Sequence, residues 1–189
     1  MSRLSDIQID AQTLARAAQG EAAAQSEVYQ RLSPAVFALI CRLVADRAAA
    51  EDLFQDSLMA VFQHLPQFRG EAPFGVWVRR IATSRCFMHL RSPWQRARDA
   101  LPDWGAEVDV ATQMDLSRAL ARLPPLTRAV VWLHDVEGLT HEEIAQGFGR
   151  SVSFSKSQLS RAHRVLQGLL GIPEATVCQS LAPNLRSVP

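Results

Sequence analysis

Lys156, Ser157, Ser160, Arg161 and Arg164 recur at helical spacing, with no acidic residue among them. Residues of these types on one helix can do one kind of chemistry, which is to donate hydrogen bonds and offer positive charge to phosphates and base edges. The segment before them is built to position such a helix. Thr140 and, three residues later, Glu143 form a capping box, so a helix is predicted to start at His141. Ile144 and Phe148 share its buried side, Ala145 is small where a second helix would cross, and Gly149 suits a turn that needs positive φ. A helix, a tight turn and a second helix from Ser153 to Arg164 read as a helix-turn-helix whose second helix fits a DNA major groove. The plainer reading of the same residues is a two-helix corner on a protein surface.

A second acid-free block strengthens the nucleic-acid reading. From Phe74 to Arg98 the charged residues are Arg79, Arg80, Arg85, Arg91, Arg96 and Arg98. The acids lie elsewhere, at Asp46, Glu51, Asp52 and Asp56 and again at Asp103, Glu107, Asp109 and Asp115. The formal net charge of +1 therefore hides two basic blocks parted by an acidic stretch, as expected of two anion-binding surfaces on a linker. In the first block Phe74, Trp77, Val78, Ile81 and Phe87 make an apolar stripe, while Arg79, Arg80, Ser84, Arg85, His89 and Arg91 cover other faces. The loop before it carries Phe68, Arg69 and Gly70. Aromatic rings beside guanidinium groups suit unstacked single-stranded bases; Phe74 and Trp77 serve equally well as core residues.

Other chemistries find no support. No nucleophile, base and orienting group cluster at usable spacing, so an enzyme is the weakest reading. Cys41, Cys86 and Cys178 are far apart and form no CxxC or Cys/His ligand pattern, which leaves neither a disulfide framework nor a metal site. His134 and His141 read as surface or capping residues. No cofactor or small-molecule substrate is implied. Met1 to Asp10 lacks a signal-peptide pattern and no apolar run reaches membrane length, so the expected location is cytoplasmic.

Helical patterns fill the first half. Asp10 caps a short helix ending at Gly20. Glu21 to Leu32 carries Ala24, Val28 and Leu32 four apart. Ser33-Pro34 reads as a cap with proline opening a new helix, which buries Val36, Phe37, Ile40, Leu43 and Val44 and ends near Asp46. Ala48 to Leu65 buries Leu53, Leu58, Val61, Phe62 and Leu65, with Glu51 and Asp52 in its first turns. Pro73 opens the helix that runs to about Leu90. The expected fold class is all-α: two small helical domains, 1–91 and 112–171, joined by a flexible linker, 92–111, and followed by a loose tail, 172–189.

The segments Ala50-Glu51-Asp52-Leu53-Phe54-Gln55-Asp56, Phe68-Arg69-Gly70-Glu71 and Phe74-Gly75-Val76-Trp77-Val78-Arg79-Arg80-Ile81-Ala82 resemble region 2 of extracytoplasmic-function (ECF) sigma factors, a group of the bacterial sigma-70 family. Leu123-Pro124-Pro125 to Arg128, Glu137 to Ala145 and Lys156 to Ala162 resemble their region 4. Two blocks in order are more specific than a lone helix-turn-helix. The resemblance implies a factor that binds core RNA polymerase, through its β′ and β subunits, and directs it to promoter DNA. Asp52, Leu53, Gln55 and Asp56 would dock on the polymerase. Phe68, Arg69, Trp77, Arg80, Ser84, Arg85 and His89 would open and hold the −10 element, and Thr140, Ser153, Lys156, Ser157, Ser160, Arg161 and Arg164 would meet the −35 element. Catalysis would belong to the polymerase. An anti-sigma repressor is a further implied partner, and the linker would thread toward the active-site channel.

Several residues depart from the family's pattern. Ser84 stands in place of the usual asparagine, Arg150 and Ser155 in place of aliphatic residues, Phe154 in place of threonine, and Gln158 in place of arginine. The Gln158 replacement should remove a charge rather than affect the fold; a buried Ser155 without a partner would cost about 1–3 kcal/mol, so that either Phe154 fills the gap or region 4 packs unusually. Two other functions compete. A free-standing helix-turn-helix regulator would bind duplex DNA without polymerase, though no heptad-bearing dimerisation helix is present. A protein-interaction module would need neither Lys156 nor Arg161.

Overall fold

The computed structural model describes residues 4–44, 46–91 and 116–171. The linker, 92–111, and the tail, 172–189, lie outside the described residues. The chain divides into two compact units, Met1–Cys86 and Phe87–Pro189. Every regular element among the described residues is helical.

In the first unit, α1 spans Ala11–Ala18 and starts where the Asp10 carboxylate accepts the Thr13 N–H at 2.8 Å. Asp10 satisfies one of the four amide groups that a helix start leaves unbonded. The next helix corrects the sequence reading. Ser33-Pro34 does not begin a new element; α2 runs unbroken from Ala22 to Leu43 with Pro34 inside it. Proline removes one backbone hydrogen bond and crowds the preceding turn, at a cost of about 3 kcal/mol. The offset is visible in the register. Ala24, Val28, Leu32, Val36 and Ile40 follow at intervals of four and all are buried, with Leu39 and Leu43 beside them, while Pro34 lies on the exposed side. Burying each large aliphatic is worth about 1.5–3 kcal/mol, so the continuous stripe outweighs the local defect.

A second boundary also moves. Asp46 is not the end of that helix but the cap of α3, Arg47–His64, accepting from the Ala48 amide at 2.9 Å and the Ala49 amide at 3.4 Å. On α3 the buried residues are Ala50, Ser57, Leu58, Ala60 and Val61; Leu53 and Phe62 are only half-buried. The Ser57 hydroxyl donates to the Leu53 carbonyl at 2.6 Å, which satisfies a polar group in the core. After a 3₁₀ turn, Leu65–Gln67, and a loop, α4 spans Phe74–Leu90. Its inner side is Phe74, Val78, Ala82 and Cys86, again four apart. Gly75 stands where the turn Leu4–Asp6 crosses: a Cβ there would overlap the Leu4 carbonyl oxygen. Leu4 itself is buried.

In the second unit, α5 (Leu116–Arg122) and α6 (Pro125–Val131) lead into a π-helical stretch, Trp132–Val136, then α7 (His141–Phe148) and α8 (Val152–Leu170). α5, α6 and α7 all pack on α8. The widened turn is marked by the Glu137 amide donating to the Trp132 carbonyl at 3.0 Å, five residues back. It lets Trp132, Leu133 and Val136 all face inward, and each is buried.

Pro34→Ala restores the missing hydrogen bond on an exposed helix face. Urea unfolding should show the first unit more stable by about 1–2 kcal/mol, part of the 3 kcal/mol being lost to the freer unfolded chain; an unchanged or lower midpoint would contradict the account of α2.

Candidate nucleic-acid interface

α7 and α8 meet at the corner foreseen from the sequence. Thr140 accepts the Glu143 N–H at 3.1 Å while the Glu143 carboxylate accepts the Thr140 N–H at 2.8 Å, closing the capping box. Gly149 turns the chain at φ 60°, and Ser151 caps α8 by accepting from the Phe154 amide at 3.2 Å. The Thr140 hydroxyl is thus engaged within its own helix start.

The buried underside of α8 is Ser155, Leu159, Ala162, Leu166 and Leu169. The opposite side presents Ser153, Lys156, Ser157, Ser160, Arg161 and Arg164, all exposed. Spacings of three and four put them on one broad face. Lys156, Arg161 and Arg164 have no ion-pair partner among the described residues, and no acid occurs from Gly147 to Gln167. The Ser157 hydroxyl donates to the Phe154 carbonyl at 2.9 Å, which leaves its oxygen able to accept.

Three polar ties hold the helix from the side away from this face, each from a different element. Thr127 of α6 donates its hydroxyl to Gln158 Oε1 at 2.7 Å, Asp135 of the π stretch bonds His163 Nε2 at 2.6 Å, and His141 of α7 meets the Ser155 hydroxyl at 3.0 Å. Gln158 therefore braces the fold as well as removing a charge, which the sequence reading did not foresee. Ser155 is fully buried, and His141 is the partner it needs. His141 and His134 are not simply surface residues. Both are half-buried, and their rings stack with centroids 4.3 Å apart and planes 18° from parallel. His134 Nδ1 lies 2.9 Å from the Leu139 carbonyl, so that nitrogen must carry the proton.

α4, which belongs to the first unit as far as Cys86, lines up Trp77, Arg80, Ser84, Arg85 and Met88 on its outer face, Met88 lying past that boundary. Arg80, Ser84 and Met88 are exposed, Trp77 and Arg85 half-buried. His89, one residue beyond, is half-buried and Arg69, on the preceding loop, is exposed. Arg85 has no ion-pair partner among the described residues. Phe68, Phe74 and Trp77 form a triad, with centroid separations of 5.3 Å for Phe68–Phe74, 5.2 Å for Phe68–Trp77 and 5.7 Å for Phe74–Trp77. Phe74 is buried and belongs to the core; Phe68 and Trp77 each keep part of a ring open. The triad clamps the loop before α4 onto the helix.

α3 offers a surface of opposite sign. Asp52, Gln55 and Asp56 are exposed and Leu53 is half-buried. Glu51 pairs with Arg47 at 2.9 Å, whereas Asp52 and Asp56 have no ion-pair partner among the described residues. Met59, 59 % exposed, continues the same face, and periodicity alone does not distinguish it from a core residue. Among the described residues no group of three His, Cys, Asp or Glu side chains converges on a metal site, and no helix is long and apolar enough to cross a membrane. Burial pushes the Cys86 thiol up to about 12, so it stays protonated and unreactive.

Burial, then the charges of His134 and Lys156, hold His141 below the usual 6.5; Glu142 and Asp135 oppose them more weakly. A histidine with a depressed folded pKa contributes stability that is complete above about 6.5 and lost as pH falls through its folded value. NMR titration should therefore give His141 a midpoint below that of free histidine, and the thermal midpoint of the second unit should drop between pH 7 and 5, less steeply in His141→Gln. A His141 midpoint at or above 6.5 would refute this.

The profile of the Sigma-70 region 2 family matches residues 28–96 and that of Sigma-70, region 4 matches residues 113–166. Together they span more than half of the chain. The chain is 29 % identical over 166 residues to the ECF RNA polymerase sigma factor SigE of Mycolicibacterium smegmatis, covering 82 % of this chain and 64 % of that protein. It is 28 % identical over 166 residues to SigM of Mycobacterium tuberculosis, covering 86 % of this chain and 85 % of that one. The ECF RNA polymerase sigma-E factor of Haemophilus influenzae is 27 % identical over 171 residues, with 80 % and 90 % covered. In fold, the chain is similar to the sigma factor RpoE of Bartonella quintana, solved in complex with the anti-sigma factor NepR, at a TM-score of 0.52 and 24 % identity over 78 % of this chain and 96 % of that one. With both regions present in order, the chain belongs to the sigma-70 family of RNA polymerase sigma factors, in its extracytoplasmic-function branch.

Proposed function

We propose that this chain binds core RNA polymerase and carries it to promoters by reading two DNA elements with its two units. One observation above all supports the reading: each unit has a helix whose outer face is basic and free of acids, and Lys156 and Arg85 have no ion-pair partner among the described residues. α8 would lie in the major groove of the −35 element, with Lys156, Ser160 and Arg161 toward base edges and Ser153, Ser157 and Arg164 toward flanking positions. The start of α7 would approach a phosphate through the backbone amides of His141 and Glu142, because the hydroxyl and the amide of Thr140 are both engaged with Glu143. Each good bidentate base contact is worth about 1–3 kcal/mol of discrimination.

The first unit would act on separated strands. Phe68 and Trp77, partly open, would stack on an extruded base of the −10 element, while Arg69, Arg80 and Arg85 meet phosphates, Ser84 lies on the same side and His89 follows one turn after Arg85 on the flank. Unstacking that base costs about a few kcal/mol, which a preset aromatic clamp helps to offset. Asp52, Gln55 and Asp56, with Leu53 beneath, would dock on a basic surface of the polymerase, and Met59 would supply the apolar centre of the contact. Nothing in this scheme asks the chain for a catalytic residue, and the work would be done in the cytoplasm. The Bartonella relative was solved with an anti-sigma factor, and a repressor covering these same surfaces is the expected regulator here.

Run-off transcription with core polymerase on a randomised promoter library tests the reading. The wild-type chain should yield transcripts sharing two spaced elements. Lys156→Glu with Arg161→Glu should abolish them while leaving core binding intact, whereas Asp52→Arg with Asp56→Arg should abolish co-purification with core. Tight duplex binding without polymerase, or transcripts indifferent to Lys156 and Arg161, would overturn it.

A further inference from the structure

The entry to α8 carries a pair of side chains that neither the buried underside nor the cationic face accounts for. Arg150 follows the left-handed Gly149 and is exposed; its guanidinium carbon lies 5.8 Å from the centroid of the Phe154 ring. Phe154 is the third residue of α8 after the Ser151 cap, and it is half-buried. The underside of α8 is complete without it, being formed by Ser155, Leu159, Ala162, Leu166 and Leu169. At 3.6 residues per turn, Phe154 stands on the flank of the exposed face, in line with Ser157 one turn on and Arg161 two turns on. A large apolar ring is thus left partly open at the leading end of a helix whose open side is otherwise polar and positive.

A ring in that place needs an apolar object on a polyanion. The first turn of a helix lying in the major groove is the part that reaches base edges. The groove floor of an ordinary duplex offers one conspicuous apolar group, the C5-methyl of thymine, and aromatic side chains are among those that contact it. The cation on the other side of the ring fits the same arrangement. A guanidinium stacked on an aromatic face is attracted to it, which orients the ring and brings a positive charge toward the backbone beside the contacted base. Phosphate contacts position a protein and apolar base contacts specify sequence, so the two residues would divide those tasks.

Resting on the reading of α8 as the −35 helix, we propose that Phe154 is a specificity-determining residue that reads a thymine methyl in the −35 element, held by Arg150 stacked over its ring. The experiment uses the full chain assembled with core polymerase and the promoters selected above. Each −35 thymine, on either strand, is replaced in turn by deoxyuridine, which removes only the methyl group, and binding is measured by competition. The wild-type holoenzyme should lose about three- to tenfold at one position, the loss expected for one buried methyl group, and be indifferent at the others. Phe154→Ser should erase that penalty while retaining core binding and the salt dependence of promoter binding. Arg150→Gln should shrink the deoxyuridine penalty by freeing the ring and flatten the salt dependence of promoter binding by about one counterion. Should Phe154→Ser fail to fold by circular dichroism, Phe154→Asn provides the same comparison, its polar end offering the methyl no apolar contact. A flat deoxyuridine scan with normal promoter binding, or a penalty that survives in the Phe154 variant, overturns the assignment alone. A holoenzyme that binds no promoter overturns the −35 reading and this assignment with it.

Discussion

A helix whose cations have no ion-pair partner among the described residues has to be held from its other side, and the second unit is arranged around that constraint. Any acid placed among Lys156, Arg161 and Arg164 would fix the helix cheaply but neutralise the face. Apolar burial alone would hold it but leave it free to slide, because Leu159, Leu166 and Leu169 do not discriminate strongly between neighbouring registers. The ties Thr127–Gln158, Asp135–His163 and His141–Ser155 supply the missing direction. Each is short and sits near the protein interior, where a hydrogen bond is costly to break and easily spoiled by misplacement.

The first unit meets a similar demand by different means. Its outward basic helix, α4, is fixed by an aromatic clamp and by close passage of the chain at Gly75 rather than by polar ties. Aromatic contacts leave ring surface available, whereas polar ties consume donors and acceptors. That difference would suit the two proposed tasks: stacking on bases wants open rings, and groove reading wants free hydrogen-bonding groups above a rigid support. The acidic face of α3 is kept apart on another helix, so neither surface cancels the other.

Much of this was legible in the residue order because it depends on local rules. Thr140 with Glu143, Gly149, Asp10 and the proline before α4 all act within one turn, and each does in the structure what its type and position foretold. The charge segregation was likewise plain from the linear sequence. What escaped is non-local. The unity of α2 depends on a stripe whose two halves sit on either side of a proline, and reading the proline alone gives a break. The π stretch at Trp132–Val136 follows no 3.6-residue period. The partner of Ser155 is fourteen residues away, and the tie from Thr127 to Gln158 spans thirty-one; neither distance has a sequence signature.

The crossing at Gly75 bears on how the chain is born. The turn at Leu4–Asp6 leaves the ribosome long before the surface it rests on, because that surface begins with a helix starting at Phe74. Until Gly75 has been synthesised and has cleared the exit tunnel, the Leu4 carbonyl lacks its close passage over α4, although the turn can already meet α2. Seating of the turn on α4 is therefore a late event, and a nascent chain stalled before that point would carry the turn with only one of its two supports.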